Sequence, residues 1–284
     1  MKLVRYGAKG AERPGVLDAQ GRVRDLSSVL DDITPGVLAA DKLRDLAHQP
    51  LEDLPVVPTP GRFGVPIAGI SKLVCIGLNY KDHAKEANLP IPQEPIVFLK
   101  AISSLSGPND DITLPRGSEK GDWEVELGIV IGKRATYVSE NEALEYVAGY
   151  TVVNDVSERA YQMERGGQWT KGKSFDTFAP IGPWLVTKDE IPQPQGLGIW
   201  LDVSGERRQT GNTDNMIFSV RKIVSYLSEF MTLMPGDIIC TGTPAGVGLG
   251  MKPPQFLRIG DTMRLGIDGL GEQQQRVVAY EKLA

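Results

Sequence analysis

In Asp122-Trp123-Glu124-Val125-Glu126-Leu127-Gly128-Ile129-Val130-Ile131 every odd-numbered residue is apolar. Alternation of this kind predicts a β-strand over 123–131, because successive side chains leave a strand on opposite faces. Glu124 and Glu126 then project together from the face opposite the apolar residues. Glutamate is disfavoured in strands, and neighbouring carboxylates repel. Two readings are open at this point: a solvated strand face, or a set of oxygen ligands whose repulsion a divalent cation offsets.

The chain around this run is strand-rich. Stretches 73–78, 95–99, 149–154, 184–186, 198–203, 237–241, 262–268 and 273–280 read as strands from their apolar and β-branched content. Two helices are expected. Ser139-x-x-Glu142 forms a capping box ahead of Ala143, Leu144 and Val147, with Gly149 as its stop. Ile217, Val220, Val224, Leu227 and Met231 recur at helical spacing before Pro235-Gly236. Helices do not alternate with strands, which argues against a doubly wound sheet and for an α+β, mainly β fold. At the start of the chain, 1–7, 15–18 and 22–26 read as short strands followed by helix. Pro55, Pro58, Pro60, Gly61, Gly64, Pro66 and Gly69 then form a connector. The expected organisation is a small N-terminal α/β domain with its connector over 1–69 and a main domain over 70–284.

The 284 residues carry 36 acidic and 31 basic side chains, a net charge of −5 with no Lys/Arg run. This argues against nucleic acid as a partner. No apolar run is long enough to cross a bilayer, and Met1–Arg5 leads into Tyr-Gly-Ala-Lys rather than a signal-peptide core. Cys75 and Cys240, the only thiols, lie in apolar strand-like runs and are expected to be buried and reduced. A soluble cytoplasmic protein is expected.

A third acid, Asp155, follows the β-branched run Tyr150–Asn154 and precedes Arg159 and Gln162. Three carboxylates without Cys or paired His select a hard ion, Mg²⁺ or Mn²⁺ before Zn²⁺. There are two histidines. His48 reads as a surface or helix-end residue. His83 lies three residues before Glu86, so on a helical turn the two share a face. They are either a carboxylate-oriented general base or a surface ion pair. Lys171 and Lys173, beside Trp169 and Phe175, hold a substrate carboxylate or oxyanion, or belong to a solvated loop. The glycine-rich run 241–250 fits neither a P-loop nor a dinucleotide fingerprint and reads as a tight loop lining a pocket. There is no G-x-S-x-G elbow.

Six segments, in this order, resemble the fumarylacetoacetate hydrolase superfamily. They are Gly77-Leu78-Asn79-Tyr80 with His83 and Glu86; Pro95-Ile96-Val97-Phe98-Leu99-Lys100; Glu124-x-Glu126-Leu127-Gly128; Asn154-Asp155-Val156-Ser157-Glu158-Arg159-x-x-Gln162; Lys171-Gly172-Lys173-Ser174-Phe175; and Gly236-Asp237-Ile238-Ile239-x-Thr241-Gly242-Thr243-Pro244. The resemblance runs from about Ser71 to the C-terminus. It implies a mixed β-sandwich roll, a homodimer or higher homo-oligomer, and one Mg²⁺ or Mn²⁺. Glu124, Glu126 and Asp155 match the metal ligands, His83 and Glu86 the water-activating pair, and Lys173 and Gln162 the groups on the substrate's oxyanion or carboxylate. Arg159 and Thr243 line the same pocket. No counterpart of the additional upstream aspartate of larger members stands before His83, leaving three protein carboxylates.

The resemblance implies an acylpyruvate substrate, a 2,4-dioxo acid whose C3–C4 bond is hydrolysed to give pyruvate. The 156–162, 165–169 and 249–254 stretches look closest to a bacterial branch that includes 2,4-diketo-3-deoxy-L-rhamnonate and L-fuconate hydrolases, often labelled ureidoglycolate lyase. The expected products are pyruvate and a hydroxy acid such as lactate. The alternatives are oxaloacetate decarboxylation or ureidoglycolate cleavage on the same scaffold, and, outside the enzymes, a non-catalytic metal-stabilised scaffold.

Overall fold

The structure, a computed structural model, describes residues 1–281. Its centre is a ten-stranded mixed sheet. From one edge the strands run Val23–Asp25, Arg13–Leu17, Lys2–Tyr6, Ala179–Thr187, Val147–Asn154, Val125–Ile131, Ile238–Cys240, Leu73–Gly77 and Ile96–Lys100, with the short strand Leu105–Ser106 beside Ala179–Thr187. A second sheet carries Glu206–Asn212, Gly198–Val203, Thr262–Ile267, Gly271–Ala279 and Ile112–Leu114, in that order.

The strand Val125–Ile131 is buried along its whole length. Val125, Leu127, Ile129 and Ile131 share one hydrophobic cluster with Leu201, Met263, Leu265 and Val277 of the second sheet. On the other face Val130 packs with Leu3, Cys75, Leu185 and Ile238. The strand is therefore sandwiched, and the solvated-face reading of Glu124 and Glu126 falls away. The helix Val220–Phe230 starts at Ser219, whose hydroxyl accepts from the Lys222 amide at 3.3 Å. It sets Val220, Ile223, Val224 and Leu227 into the cluster between the sheets.

One expectation is corrected, and one strand is added. The capping-box helix is a single 3₁₀ turn, Ala143–Tyr146, and the chain is already a strand from Val147. Ser139 Oγ binds the Glu142 side chain at 2.5 Å rather than a helix amide. The β-branched run Thr151-Val152-Val153 is needed as a central strand, and pairing on both sides outweighs the local helical signal. The strand Glu206–Asn212 had no apolar alternation to reveal it. It is an edge strand and can be polar throughout.

Lys2–Tyr6 pairs antiparallel with Ala179–Thr187, Leu3 opposite Leu185, so strands from both sides of the Pro/Gly-rich connector lie in one sheet. His48 is exposed at the end of the helix Ala40–Ala47. Cys75 and Cys240 are buried and free. Among the described residues no helix is long and apolar enough to cross a membrane.

Candidate active site

Strand register brings the three acids together. Asn154 lies opposite Val125 and Val153 opposite Glu126, and the Asp155 amide donates to the Glu124 carbonyl at 2.8 Å. Oxygen atoms of Glu124, Glu126 and Asp155 lie within 4.8 Å of one another, and all three side chains are buried. Two buried amides fix the start of the strand: Asn154 Oδ1 accepts from the Glu124 amide at 3.3 Å, and Gln209 Oε1 from the Val125 amide at 3.0 Å. Gln209 also donates to Thr243 Oγ1 at 2.7 Å, and that hydroxyl donates to the Val125 carbonyl at 2.8 Å.

Three buried cations face the acids. Lys173 Nζ bridges Glu124 Oε2 at 2.8 Å and Asp155 Oδ2 at 2.7 Å. Lys100 Nζ binds Asp155 Oδ1 at 2.5 Å. Arg159 places Nη2 2.7 Å from Glu124 Oε1, Nε 2.7 Å from Asp122 Oδ2, and Nη1 2.9 Å from Gln162 Oε1. Four carboxylates, Asp122 included, thus meet three cations, and Glu126 is the acid without a cation partner. Burial pushes the Glu124 carboxyl up, but Lys173 and Arg159 outweigh it and hold it down at about 2. For Glu126, burial and then Asp155 push the same way, well above the usual range. Burial lowers the Lys173 ammonium less than Asp155 and Glu124 raise it, so it stays charged. An all-carboxylate donor set with one uncompensated negative charge fits a hard divalent ion.

Glu126 Oε2 accepts from the Gly242 amide at 2.8 Å. Gly242 has φ +91°, and a Cβ there would sit 2.8 Å from Asn79 Cβ and 3.0 Å from the Ile76 carbonyl. Gly242→Ala is expected to lower stability by about 1–3 kcal/mol, read as a fall in melting temperature.

A cavity of about 630 Å³ opens over this cluster. Eight of the nine residues singled out in the sequence line it: His83, Glu86, Glu124, Glu126, Arg159, Gln162, Lys173 and Thr243. Asp155 lies behind them, fully buried. His83 and Glu86 share the short helix Lys81–Glu86, with His83 Nδ1 3.1 Å from Glu86 Oε2. A carboxylate partner favours the proton on Nδ1 and leaves Nε2 as the basic nitrogen. The other Glu86 oxygen accepts from the Gly246 amide at 2.9 Å. Because Gln162 Oε1 is held by Arg159, its Nε2 remains as a donor at the cavity wall. Phe98, Trp169, Met163 and Leu249 supply apolar walls. Lys171 is exposed and outside the cavity.

Sequence reasoning assigned no role to Lys100, Asp122 or Gln209. Lys100 had one available signal, a charge at the end of an otherwise apolar strand. Gln209 had none, since it sits in the polar edge strand.

Residues 72–278 match the family described as fumarylacetoacetate (FAA) hydrolase C-terminal. The chain belongs to the fumarylacetoacetate hydrolase family. Within it, the chain is 56% identical over 284 residues to a protein of Sphingomonas sp. (strain SKA58) named 2,4-didehydro-3-deoxy-L-rhamnonate hydrolase, covering 100% of this chain and 98% of that one. Among solved structures it resembles a fumarylacetoacetate hydrolase from Exiguobacterium antarcticum, with a TM-score of 0.88 and 37% identity over 99% of this chain and 100% of that one. It also resembles maleylpyruvate hydrolase from Sphingobium sp. SYK-6 in complex with manganese(II) and pyruvate, with a TM-score of 0.83 and 29% identity over the same shares. The family, the mainly β fold class and the place among hydrolases expected from the sequence all stand for this fumarylacetoacetate hydrolase family member.

Proposed function

We propose that the chain is a metal-dependent acylpyruvate hydrolase that cleaves the C3–C4 bond of a 2,4-dioxo acid, with 2,4-didehydro-3-deoxy-L-rhamnonate as its first candidate substrate. One observation carries this reading: two acids of a hard-ligand cluster, Glu124 and Glu126, and a carboxylate-held imidazole line one cavity, with the third acid, Asp155, directly behind them. The relative's name supports the substrate, and the manganese and pyruvate in the Sphingobium structure support the ion and the product class.

Glu124, Glu126 and Asp155 would hold the ion, Mg²⁺ or Mn²⁺, which when bound supplies Lewis-acid polarisation and a template for the α-keto acid end. His83, held by Glu86, takes a proton through Nε2 from the water that attacks C4. Lys173 and the free Nε2 of Gln162 donate to the oxyanion that forms there. When C3–C4 breaks, its electron pair leaves with C3 as the enolate of pyruvate, and His83 returns the proton to C3. The acyl half leaves as the hydroxy acid, lactate for the rhamnonate-derived substrate. The apolar walls keep bulk water from this exchange.

The decisive assay is pyruvate release from a panel of dioxo acids and oxaloacetate, with Mg²⁺, Mn²⁺ or EDTA. Metal-dependent pyruvate and L-lactate in equal amounts are expected from the sugar acid. Carbon dioxide from oxaloacetate alone would move the reaction to decarboxylation, which needs no water-activating pair. No turnover on any member would leave the metal-stabilised scaffold. In the hydrolase, His83→Asn is expected to lower kcat by about 10²–10⁴-fold while metal affinity, measured by calorimetry, is kept.

We also propose a cytoplasmic homo-oligomer. Ile96–Lys100 is an edge of the ten-stranded sheet, and Leu89, Ile91, Leu99 and Ile102 near it in sequence are exposed. Light scattering on the purified chain tests it; a monomer at micromolar concentration would rule it out.

A further inference from the structure

We propose that Asp122 and Trp123 are positioning residues that clamp the 246–250 loop and thereby fix Glu86, and through it the His83 ring, relative to the acid cluster. The proposal builds on the reading of His83 and Glu86 as the proton-handling pair. Asp122 is fully buried. Its Oδ1 accepts from the Gly248 amide at 2.7 Å, and its Oδ2 from the Leu249 amide at 3.0 Å and Arg159 Nε at 2.7 Å. Trp123, also buried, donates Nε1–H to the Gly246 carbonyl at 3.0 Å.

Gly246 is the pivot. Its carbonyl is held by Trp123, and its amide is the donor to Glu86 Oε1. The second Glu86 oxygen holds His83 Nδ1. A chain of hydrogen bonds thus runs from Trp123 through Gly246 and Glu86 to the imidazole, while Asp122 anchors the same loop two and three residues further on, at Gly248 and Leu249. The pivot has little freedom. Gly246 has φ +105°, and a Cβ there would lie 1.9 Å from the Arg208 carbonyl. A carboxylate gripped at both oxygens cannot rotate without breaking a bond, so the loop's position sets the ring's position. Neither Asp122 nor Trp123 lines the cavity among the described residues, so their action on the reaction is indirect. The geometry also gives the 241–250 glycine run a use that its failed nucleotide fingerprints did not.

The test uses the full chain with Trp123→Phe, which keeps an aromatic ring but removes the N–H, and Asp122→Asn, which keeps the shape but loses the charge on Arg159 and one amide acceptor. The chain has two histidines, so a ¹⁵N spectrum of the imidazoles resolves His83 once a His48→Asn variant assigns the other. In the wild type the Nδ1–H tautomer is expected to dominate. Both variants are expected to shift His83 toward mixed tautomers and to lower kcat about tenfold or more with KM within about twofold. A folded variant with the wild-type tautomer would overturn the clamp, whatever its activity. If a variant fails to fold, amide exchange in the wild type decides: Gly246 N–H and Gly248 N–H are both expected to be protected, and fast exchange at either would overturn the proposal. A tautomer shift in a chain that hydrolyses none of the dioxo acids would uphold the clamp and sink the reaction instead.

Discussion

Glu126→Gln is expected to melt higher than the parent chain in EDTA and to lose at least about a hundredfold in turnover. Glu126 is the cluster's acid without a cation, and burial and Asp155 both oppose its ionisation. Its folded carboxyl holds its proton to a higher pH than the unfolded chain does. The metal-free protein therefore loses stability as pH rises from the ordinary glutamate range through that raised value. Glutamine keeps an acceptor for the Gly242 amide and removes the charge, so this pH-dependent loss disappears. The gain is read as a higher melting temperature in the variant, growing as pH rises through the range where the parent's Glu126 must ionise. With metal present the order reverses, because the wild type gains from binding and the variant, short of one ligand, gains less. Melting curves from pH 5 to 9, with EDTA and with saturating Mn²⁺, check both signs. A variant that melts below the wild type in EDTA at every pH would refute the charge count.

Lys173→Met is expected to move stability the other way, by about 3–5 kcal/mol, with turnover lowered about 10²–10³-fold. The ammonium bridges Glu124 and Asp155, and its removal leaves each with a single cation, Arg159 and Lys100, and the buried cluster with one more uncompensated negative charge. Methionine matches the stem's volume and preserves the contact with Phe98, over whose ring the ammonium lies at 5.2 Å, so the loss reports charge rather than a cavity. Added metal is expected to recover more of the melting temperature in this variant than in the wild type, since it meets less competing positive charge. Equal recovery in both would show that the lysine and the ion do not share the cluster's field.

The two variants also separate what the sequence revealed from what it hid. Glu124 and Glu126 stood out because glutamates inside an apolar strand need a reason, and Asp155 because it closes a β-branched run. That the three meet depends on Asn154 pairing with Val125, a contact between strands about 30 residues apart that no local pattern encodes. By residue pattern Lys173 looks no different from its neighbour Lys171, and only the family resemblance separates them, although one is buried and the other exposed. Burial of a long cationic side chain is decided by the acids it meets, and those lie far off in sequence. The polar strand holding Gln209 escaped notice because edge strands need no apolar face. The 143–146 turn was misread because a capping signal acts over one turn, whereas two flanking strands act over the whole of Val147–Asn154.

The junction between Lys2–Tyr6 and Ala179–Thr187 bears on where this chain can be divided. The family match begins at residue 72, yet the sheet continues beyond it into strands contributed by the first 25 residues. Strand addition is made by main-chain amides and carbonyls, which are the same whatever side chains they carry. The leading segment is thus tied in twice, by a strand of matching length beside Ala179–Thr187 and by Leu3, Val16 and Leu26, which share a core with Leu185. The family match and the sheet draw their borders at different residues here, and a cut at the connector would sever Lys2–Tyr6 from the strand it pairs with.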